Sequence, residues 1–368
     1  MVTGICVKAW QSKSGTGYNE EGNSPKVNNL GKLAINELLS SKLIVRKKHH
    51  QRTQLNSGID KVRPYNSDTT VTKKEAELSA SFLLFIDVLL LLSMYNPHST
   101  KIKYPENTDA HYLVVKKNDG TVFDENYPYI NRSKGFRFKQ FWVRVLLTII
   151  VFPMCIPYMG LRIKNRKILK QYKDQLKNGA ITVSNHVHMW DYIAVMKAIR
   201  PRKPHVLVWA PNVRGESGPL VRLVGGIPIP DGDLGGKVAF NKAVDDSLDR
   251  GEFLQIYADG SMWECYPFIR PFKLGAASLA CRHNKPILPI GFSFRKPSWI
   301  RKHIFGQEVA ITLTVGEPIF PDESLKEQEK RIDLTIRAHN AICYLADVDP
   351  KENPYEPIFN NSKRIDIK

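Results

Sequence analysis

The 368-residue sequence has few cysteines and no arrangement that would use them together. Its five cysteines are scattered and odd in number, without the close pairs typical of zinc sites or disulfide frameworks. The first thirty residues hold no apolar core of the kind found in secretory signals, and the mean hydropathy of −0.30 argues against a protein with many membrane spans. We therefore expect a reducing, cytosolic environment and no cleavable signal.

Negative charge is scarce relative to positive charge. The chain has 54 Lys and Arg residues against 36 Asp and Glu residues, which gives a net charge of +18 and a pI of about 9.6. This balance indicates an anionic partner, which could be nucleic acid, a membrane surface or a phosphorylated substrate. No recognisable nucleic-acid motif is present, and basic residues lie beside apolar segments. A lipid surface is therefore favoured, and no nucleic-acid partner is expected.

Changes in composition divide the chain into five predicted segments. The first is polar and basic and is predicted to be disordered, and the second holds an apolar run at 82–92 and a small β-hairpin about Asp119-Gly120. The third is a membrane-associating helical segment, the fourth an α/β domain, and the last a C-terminal tail that we expect to be extended. Their bounds are 1–78, 79–135, 136–163, 164–346 and 347–368.

The third segment contains an apolar run of 17 residues, 145–161, preceded by basic side chains. That length is at the lower limit for crossing a bilayer. Pro153 and Pro157 are predicted to break the helix near its middle. We therefore expect association with one side of a membrane, with basic residues among anionic headgroups. A core helix packed under the following domain is the alternative.

From about residue 164, short β-rich runs alternate with helical patterns. This alternation predicts an α/β fold with a mostly parallel sheet flanked by helices. The predicted strands are 181–183, 204–209, 253–257, 287–290 and 310–315. The predicted helices are 191–199, 236–250, 273–283 and 322–345.

His186 is followed five positions later by Asp191, directly after the predicted strand 181–183. In one continuous helix, positions five apart point about 140° away from each other, so the two side chains can pair only if a loop or helix start intervenes. An imidazole held by a carboxylate is a suitable general base for removing a hydroxyl proton. Open α/β sheets place ligand sites at the carboxyl ends of strands, where His186 is expected.

Three further motifs follow in order: Gly-Ile-Pro-Ile-Pro at 226–230, Tyr-Ala-Asp-Gly-Ser at 257–261 and Pro-Ile-Leu-Pro-Ile at 286–290. Together with the His-x4-Asp pair, they resemble the four blocks of the glycerophospholipid acyltransferase superfamily, over roughly 165–300. The resemblance implies that His186 is the general base and Asp191 orients it. It also implies an O-acyltransferase, similar to 1-acylglycerol-3-phosphate O-acyltransferases, that moves a fatty acyl group to a lysophosphatidate-like hydroxyl.

The third block is predicted to contact the substrate. Asp259 stands where the family has Glu, and Ser261 stands where it has Thr, while the Arg that follows in the family is absent. Gly260 would let a substrate approach the backbone closely, and the Ser261 hydroxyl could donate to a phosphate or hydroxyl oxygen.

The second block departs from the family more strongly. Asp231 occupies the position of an Arg that in the family helps hold the acceptor phosphate. Lys273, Arg270 and Lys237 are the predicted substitutes, with Lys273 preferred over Arg270 because the stretch 272–277 matches the family's Phe-Lys-x-Gly-Ala-Ala helix entry.

The resemblance implies no metal and no bound cofactor, with acyl-CoA or acyl-carrier protein as the co-substrate, and work at the cytoplasmic face of a membrane as a peripheral or monotopic protein. Two alternatives stay open. A metal-dependent hydrolase would use His186 and His188, with Asp191 and His205 as possible further ligands. A basic membrane-binding protein without enzymatic activity would use the charge alone.

Overall fold

The structure is a computed structural model, and it describes residues 104–111, 118–304 and 307–359. The predicted extension 1–78 and the apolar run 82–92 lie outside these residues. The first strand of the predicted hairpin, at 112–115, also lies outside them.

A seven-stranded sheet forms the centre of the described part, with strand order β1-β7-β6-β2-β5-β3-β4. Its strands are β1 Arg162–Lys164, β2 Ile181–Ser184, β3 His205–Trp209, β4 Gly226–Ile229, β5 Leu254–Ile256, β6 Ile287–Arg295 and β7 Ala310–Val315. Five neighbouring strands, from β6 to β4, run parallel to one another, whereas β7 is antiparallel to β6 and carries β1 beside it. The prediction of a mostly parallel α/β fold is confirmed.

Helices cover both faces of this sheet. They are α1 Lys134–Leu146, α2 Phe152–Met159, α3 Ile168–Gln171, α4 Asp191–Ala198, α5 Ala210–Arg214, α6 Gly218–Leu223, α7 Leu234–Asp249, α8 Gly275–Arg282, α9 Trp299–His303 and α10 Glu327–Leu345. One core contains side chains of α7, α8 and α10, and the other contains side chains of α2 and α4. Successive strand residues face opposite cores, as the alternation of a β-strand requires: Ile287 joins the first core and Leu288 the second.

The apolar segment forms one continuous helix, so the prediction that prolines break it is wrong. Between α1 and α2, the turn Leu147–Val151 is π-helical and carries the helix past Pro153, which has no N–H to continue the hydrogen-bond ladder. The whole helix, Lys134–Met159, has 26 residues and is long and apolar enough, by length and composition, to cross a membrane.

The helix ends at Gly160, which has a φ of 61°. This left-handed conformation favours glycine, and a Cβ here would lie 2.7 Å from the Cβ of Ala310. The close approach packs the end of α2 onto strand β7. The helix is therefore fixed to the domain at its carboxyl end.

The segment 121–123 does not form a strand, so the predicted hairpin is wrong in its second half. Gly120 does adopt the positive φ expected of an Asp-Gly turn, at 78°. The backbone, however, bonds elsewhere: the Asp119 N–H donates to the carbonyl of Arg214, and the Arg214 Nε donates to the carbonyl of Thr121. These bonds hold the turn against helix α5.

The C-terminal tail, as far as residue 359, is docked on the domain. Phe272 donates its N–H to the carbonyl of Pro357, and Phe359 donates its N–H to the carbonyl of Phe272, both at 2.9 Å. The tail therefore lies beside the segment that follows the third motif.

Candidate active site

The loop between β2 and α4 holds the His-x4-Asp motif. Strand β2 ends at Ser184, and the Asn185 side chain then binds the backbone of Phe292 in β6, accepting from its N–H at 2.8 Å and donating to its carbonyl at 3.0 Å. Helix α4 begins at Asp191. A loop and a helix start therefore separate His186 from Asp191, which is the geometry that their spacing requires.

The side chains of His186 and Asp191 face each other. The His186 Nδ1 lies 3.1 Å from the Asp191 Oδ2, and Asp191 is fully buried while the His186 side chain keeps 23% exposure. The same Oδ2 accepts the backbone N–H groups of Val187 and His188 at 2.6 and 2.9 Å. With the ring proton on Nδ1 donated to this oxygen, the Nε2 lone pair is left available.

Tyr257 forms the floor under His186. It follows strand β5, next to β2 in the sheet, and its ring stacks on the imidazole with centroids 3.8 Å apart and planes 15° from parallel. Burial raises the pKa of the Tyr257 hydroxyl well above its usual range, so the ring remains neutral. The sequence analysis did not single out this contact. Tyr257 opens the third motif, but no spacing in the sequence indicates that its ring lies under His186.

The third motif forms a buried polar network. The Asp259 Oδ2 accepts from the Arg270 Nη2 at 2.8 Å and from the backbone N–H of His186 at 3.3 Å. The Arg270 Nη1 donates to the Ser261 Oγ at 2.9 Å. Arg270 and Asp259 have side-chain exposures of 2% and 3%. Arg270 therefore binds both polar side chains of the third motif, and one of them, Asp259, also binds the backbone of His186.

Residues 104–111, which we call the strap, cross over this network. The carbonyl of Thr108 accepts from the Arg270 Nη1 at 2.9 Å, and the carbonyl of Ala110 accepts from the Ser261 Oγ at 3.0 Å. The strap also brings Asp109 to 2.5 Å from the Lys273 Nζ. No sequence signal linked the strap to the third motif.

The predicted substrate-binding residues thus have different surroundings. Asp259, Ser261 and Arg270 are buried and bonded to protein groups, whereas the Lys273 side chain is 48% exposed. Gly260 lies in the same loop with a φ of 83°, where a side chain would be strained. Their roles in binding substrate stay predictions, and Lys273 is the one among them whose charged group is open to solvent.

Asp231, at the end of the second motif, pairs with Arg214. The two side chains form a bidentate ion pair with N–O distances of 2.5 and 2.7 Å. This bonding lowers the pKa of the Asp231 carboxyl. The second motif therefore does carry an arginine, but it comes from α5 rather than from the motif itself.

One of the four residues proposed for a metal site, His205, lies away from the other three. His205 begins strand β3, at the edge of the sheet opposite His186, and its Nε2 lies 3.1 Å from a Glu252 oxygen. The His188 Nδ1 accepts the N–H of Trp190. Within the described ranges, no group of three or more His, Cys, Asp or Glu side chains could hold a metal ion.

Comparison with known proteins agrees with the sequence resemblance. Residues 161–293 match the family model described as Acyltransferase. The resemblance to the glycerophospholipid acyltransferase superfamily is therefore confirmed, and the chain carries an acyltransferase domain.

The chain was also compared with solved structures and with curated proteins. A similar solved structure is the 1-acyl-sn-glycerophosphate (LPA) acyltransferase PlsC from Thermotoga maritima, with 14% identity, a TM-score of 0.37, and coverage of 59% of this chain and 84% of that chain. No curated protein matches the chain.

Proposed function

We propose that this acyltransferase moves a fatty acyl group from acyl-CoA or acyl-carrier protein to the hydroxyl of a lysophosphatidate-like acceptor. The observation that carries the proposal is the 3.1 Å contact between the His186 Nδ1 and the Asp191 Oδ2, at the carboxyl edge of the parallel sheet in an acyltransferase domain.

In the proposed reaction, the His186 Nε2 takes the proton from the acceptor hydroxyl while Asp191 holds the ring and stabilises the imidazolium. The acceptor oxygen attacks the carbonyl carbon of the thioester. As the C–O bond forms and the C–S bond breaks, the thiolate leaves and takes the proton from His186. No covalent acyl-enzyme is needed.

We also propose that the protein works at a membrane surface, on its cytoplasmic face. The helix Lys134–Met159 is buried against the domain only in its carboxyl half, through residues such as Phe152 and Cys155, and no residue of α1 is buried. Large apolar side chains are exposed along the helix: Phe138, Phe141, Trp142, Ile149 and Ile156. These exposed apolar side chains, beside the basic residues of α1, favour association with a membrane surface.

The proposal is tested by offering the purified full-length protein a panel of lysolipids with acyl-CoA or acyl-carrier protein and identifying the products by mass spectrometry. We expect a diacyl product from a lysophosphatidate-like acceptor. His186→Ala should reduce turnover by about 10²–10⁴-fold, the usual contribution of a general base. His303→Ala, at an exposed position on α9, is the matched control and should retain activity.

His186→Ala also distinguishes an enzyme from a basic membrane-binding protein without enzymatic activity. His186→Ala should bind lipid vesicles as the unmodified protein does. If that variant kept full turnover, the proposed mechanism would be wrong.

A further inference from the structure

A large cationic cavity lies away from the proposed active site. Its volume is about 1770 Å³, and it lies between helix α1 and the domain. Thirteen Lys and Arg residues line it, against one acidic residue, Glu252. A concentration of one sign of charge in a cleft focuses the electrostatic field and attracts an anion.

The cavity opens at the edge of the sheet opposite His186. Its walls include His205 and Gly226, which begin strands β3 and β4. Those strands run parallel to β2, and His186 follows the carboxyl end of β2. A strand of four or five residues separates the two edges by about 15 Å. The cavity is therefore distinct from the acyl-transfer site.

Most of the cations that line the cavity have no acidic partner among the described residues. Arg132 and Arg250 pair with carboxylates, and the other eleven cations form no ion pair with any residue that the structure describes. Arg166 donates only to the backbone carbonyls of Ala198 and Arg200.

Arg144 is the clearest sign of a missing partner. It projects from α1, and its Nε and Nη1 are buried with no hydrogen-bond partner among the described residues. Burial lowers the pKa of Arg144, which reflects the cost of holding an unpaired guanidinium out of water. An incoming anion would remove that cost.

The cavity meets the apolar face of α1. Phe138 and Phe141 line it and are 64% and 54% exposed. A ligand held here would have cations around its charged part and aromatic rings beside any apolar part. That combination matches a lipid with a phosphorylated headgroup.

We infer that this cavity is a binding site for a phosphate-bearing polyanion, and that its source is the headgroup of a membrane lipid carrying more than one phosphate. Guanidinium groups suit such a ligand because they bind phosphate oxygens through two parallel hydrogen bonds. The site would hold the protein on membranes of a particular composition, whichever acceptor the active site uses.

Vesicle flotation with full-length protein tests the inference. The vesicles are phosphatidylcholine with either a polyphosphorylated phosphoinositide or phosphatidylserine, matched in surface charge. We expect tighter binding to the polyphosphorylated headgroup. Equal binding to the two kinds of vesicle would contradict the inference, because a diffuse basic surface responds to charge density alone. Soluble tripolyphosphate is the second arm: if it binds as tightly as the vesicles do, the lipid source is wrong.

Variants locate the binding. Lys170→Gln with Lys173→Gln removes two exposed cations of the cavity and should weaken binding to the polyphosphorylated vesicles by about fivefold for each. Lys351→Gln removes an exposed cation outside the cavity and is the matched control. If the control weakened binding as much per charge as the cavity variants, the inference would fail.

Arg144→Gln tests whether Arg144 binds the ligand or only supports the fold, through the melting temperature with and without vesicles. It removes a buried unpaired charge, so the melting temperature of the free protein should rise, while the rise caused by the polyphosphorylated vesicles should shrink. A lower melting temperature with unchanged vesicle binding would mean that Arg144 only supports the fold.

Discussion

The carboxylate of Asp259 lies 2.8 Å from the guanidinium of Arg270, and the same carboxylate oxygen accepts the backbone N–H of His186. Both side chains are buried. A buried ion pair is costly to break, because removing one partner leaves the other charged and without compensation. We therefore expect the pair to position the loop that holds His186.

Arg270→Ala should destabilise the protein by about 3–5 kcal/mol, as expected when one partner of a buried pair is lost. Chemical denaturation measures this. Arg270→Lys keeps the charge, so its kinetics are informative: a positioning role predicts a lower kcat with little change in KM. A raised KM for a phosphorylated acceptor with unchanged stability would instead support the predicted substrate-binding role.

Asp191→Asn should separate activity from stability. Burial raises the pKa of Asp191, although His186 and two backbone N–H groups act in the opposite direction. A raised pKa means that the ionised form is disfavoured in the fold, so this carboxylate adds less stability as the pH rises above its usual value. We expect the amide variant to be as stable as the unmodified protein at neutral pH, or more so.

Its turnover should nevertheless fall by about 10²–10⁴-fold, because an amide neither fixes the His186 tautomer nor stabilises the imidazolium. Thermal melting and steady-state kinetics on one preparation check both expectations. Unchanged turnover would remove Asp191 from the mechanism.

Lys273 and Asp109 provide a pair of substitutions with opposite expected effects. Their side chains are 48% and 41% exposed, so the ion pair should contribute less than about 1 kcal/mol to stability. If Lys273 binds an acceptor phosphate, Lys273→Gln should raise KM by roughly tenfold or more.

Asp109→Asn should lower that KM a few-fold, because it frees Lys273 from its partner. A lysolipid without a terminal phosphate is the control acceptor and should respond to neither change. Parallel shifts for both acceptors would argue against a phosphate contact.

The exposed aromatic side chains of α1 should contribute to membrane binding. Phe138, Phe141 and Trp142 are each more than half exposed. Full burial of such a side chain is worth about 1.5–3 kcal/mol, so each change to Ser should lower vesicle partitioning by about tenfold or more. Tyr344→Ser, at a site 68% exposed on α10, is the control. Similar losses of partitioning from the α1 variants and from the control would mean that α1 does not contact the membrane.

Stability should depend on Glu252 in acid. Burial would raise its pKa, but hydrogen bonds from His205, Arg132 and Ser247 outweigh burial and hold its pKa well below its usual range. A lowered pKa gives stability that is present above the usual value of 4.5 and is lost as the pH falls below it.

Glu252→Gln should therefore be roughly 1–3 kcal/mol less stable than the unmodified protein at neutral pH. The difference should narrow as the pH falls below 4.5. Urea denaturation across that range measures the effect, and a constant difference would mean that the ionised form carries no special stabilisation.

Much of the sheet could be predicted from the sequence, since apolar strands alternate with helical patterns. Strand β7 was predicted with its observed bounds. Strand β4 was not predicted, because Gly226 and Pro228 are poor strand formers. It lies at the edge of the sheet, where proline is tolerated. Helix α10 begins at Glu327 rather than 322, because Asp322 accepts the N–H and the hydroxyl of Ser324 in a local turn.

The site could be predicted only where its contacts join residues that are close in the sequence. His186 and Asp191 are five residues apart, and a spacing can be recognised in a sequence. The contacts of Arg270 with Thr108, and of Ser261 with Ala110, join residues more than 150 positions apart. No periodicity or spacing reports such contacts, because the fold alone brings them together.

The strap sets a limit on how small a working version of this enzyme can be. A chain that begins at residue 161, where the family match starts, would lack the carbonyls of Thr108 and Ala110, and Arg270 and Ser261 would each lose an acceptor. The polar network beside the catalytic loop would then open to water. A chain that begins at residue 161 should therefore be inactive even where the sheet still assembles, and an active truncation should have to begin upstream of Tyr104.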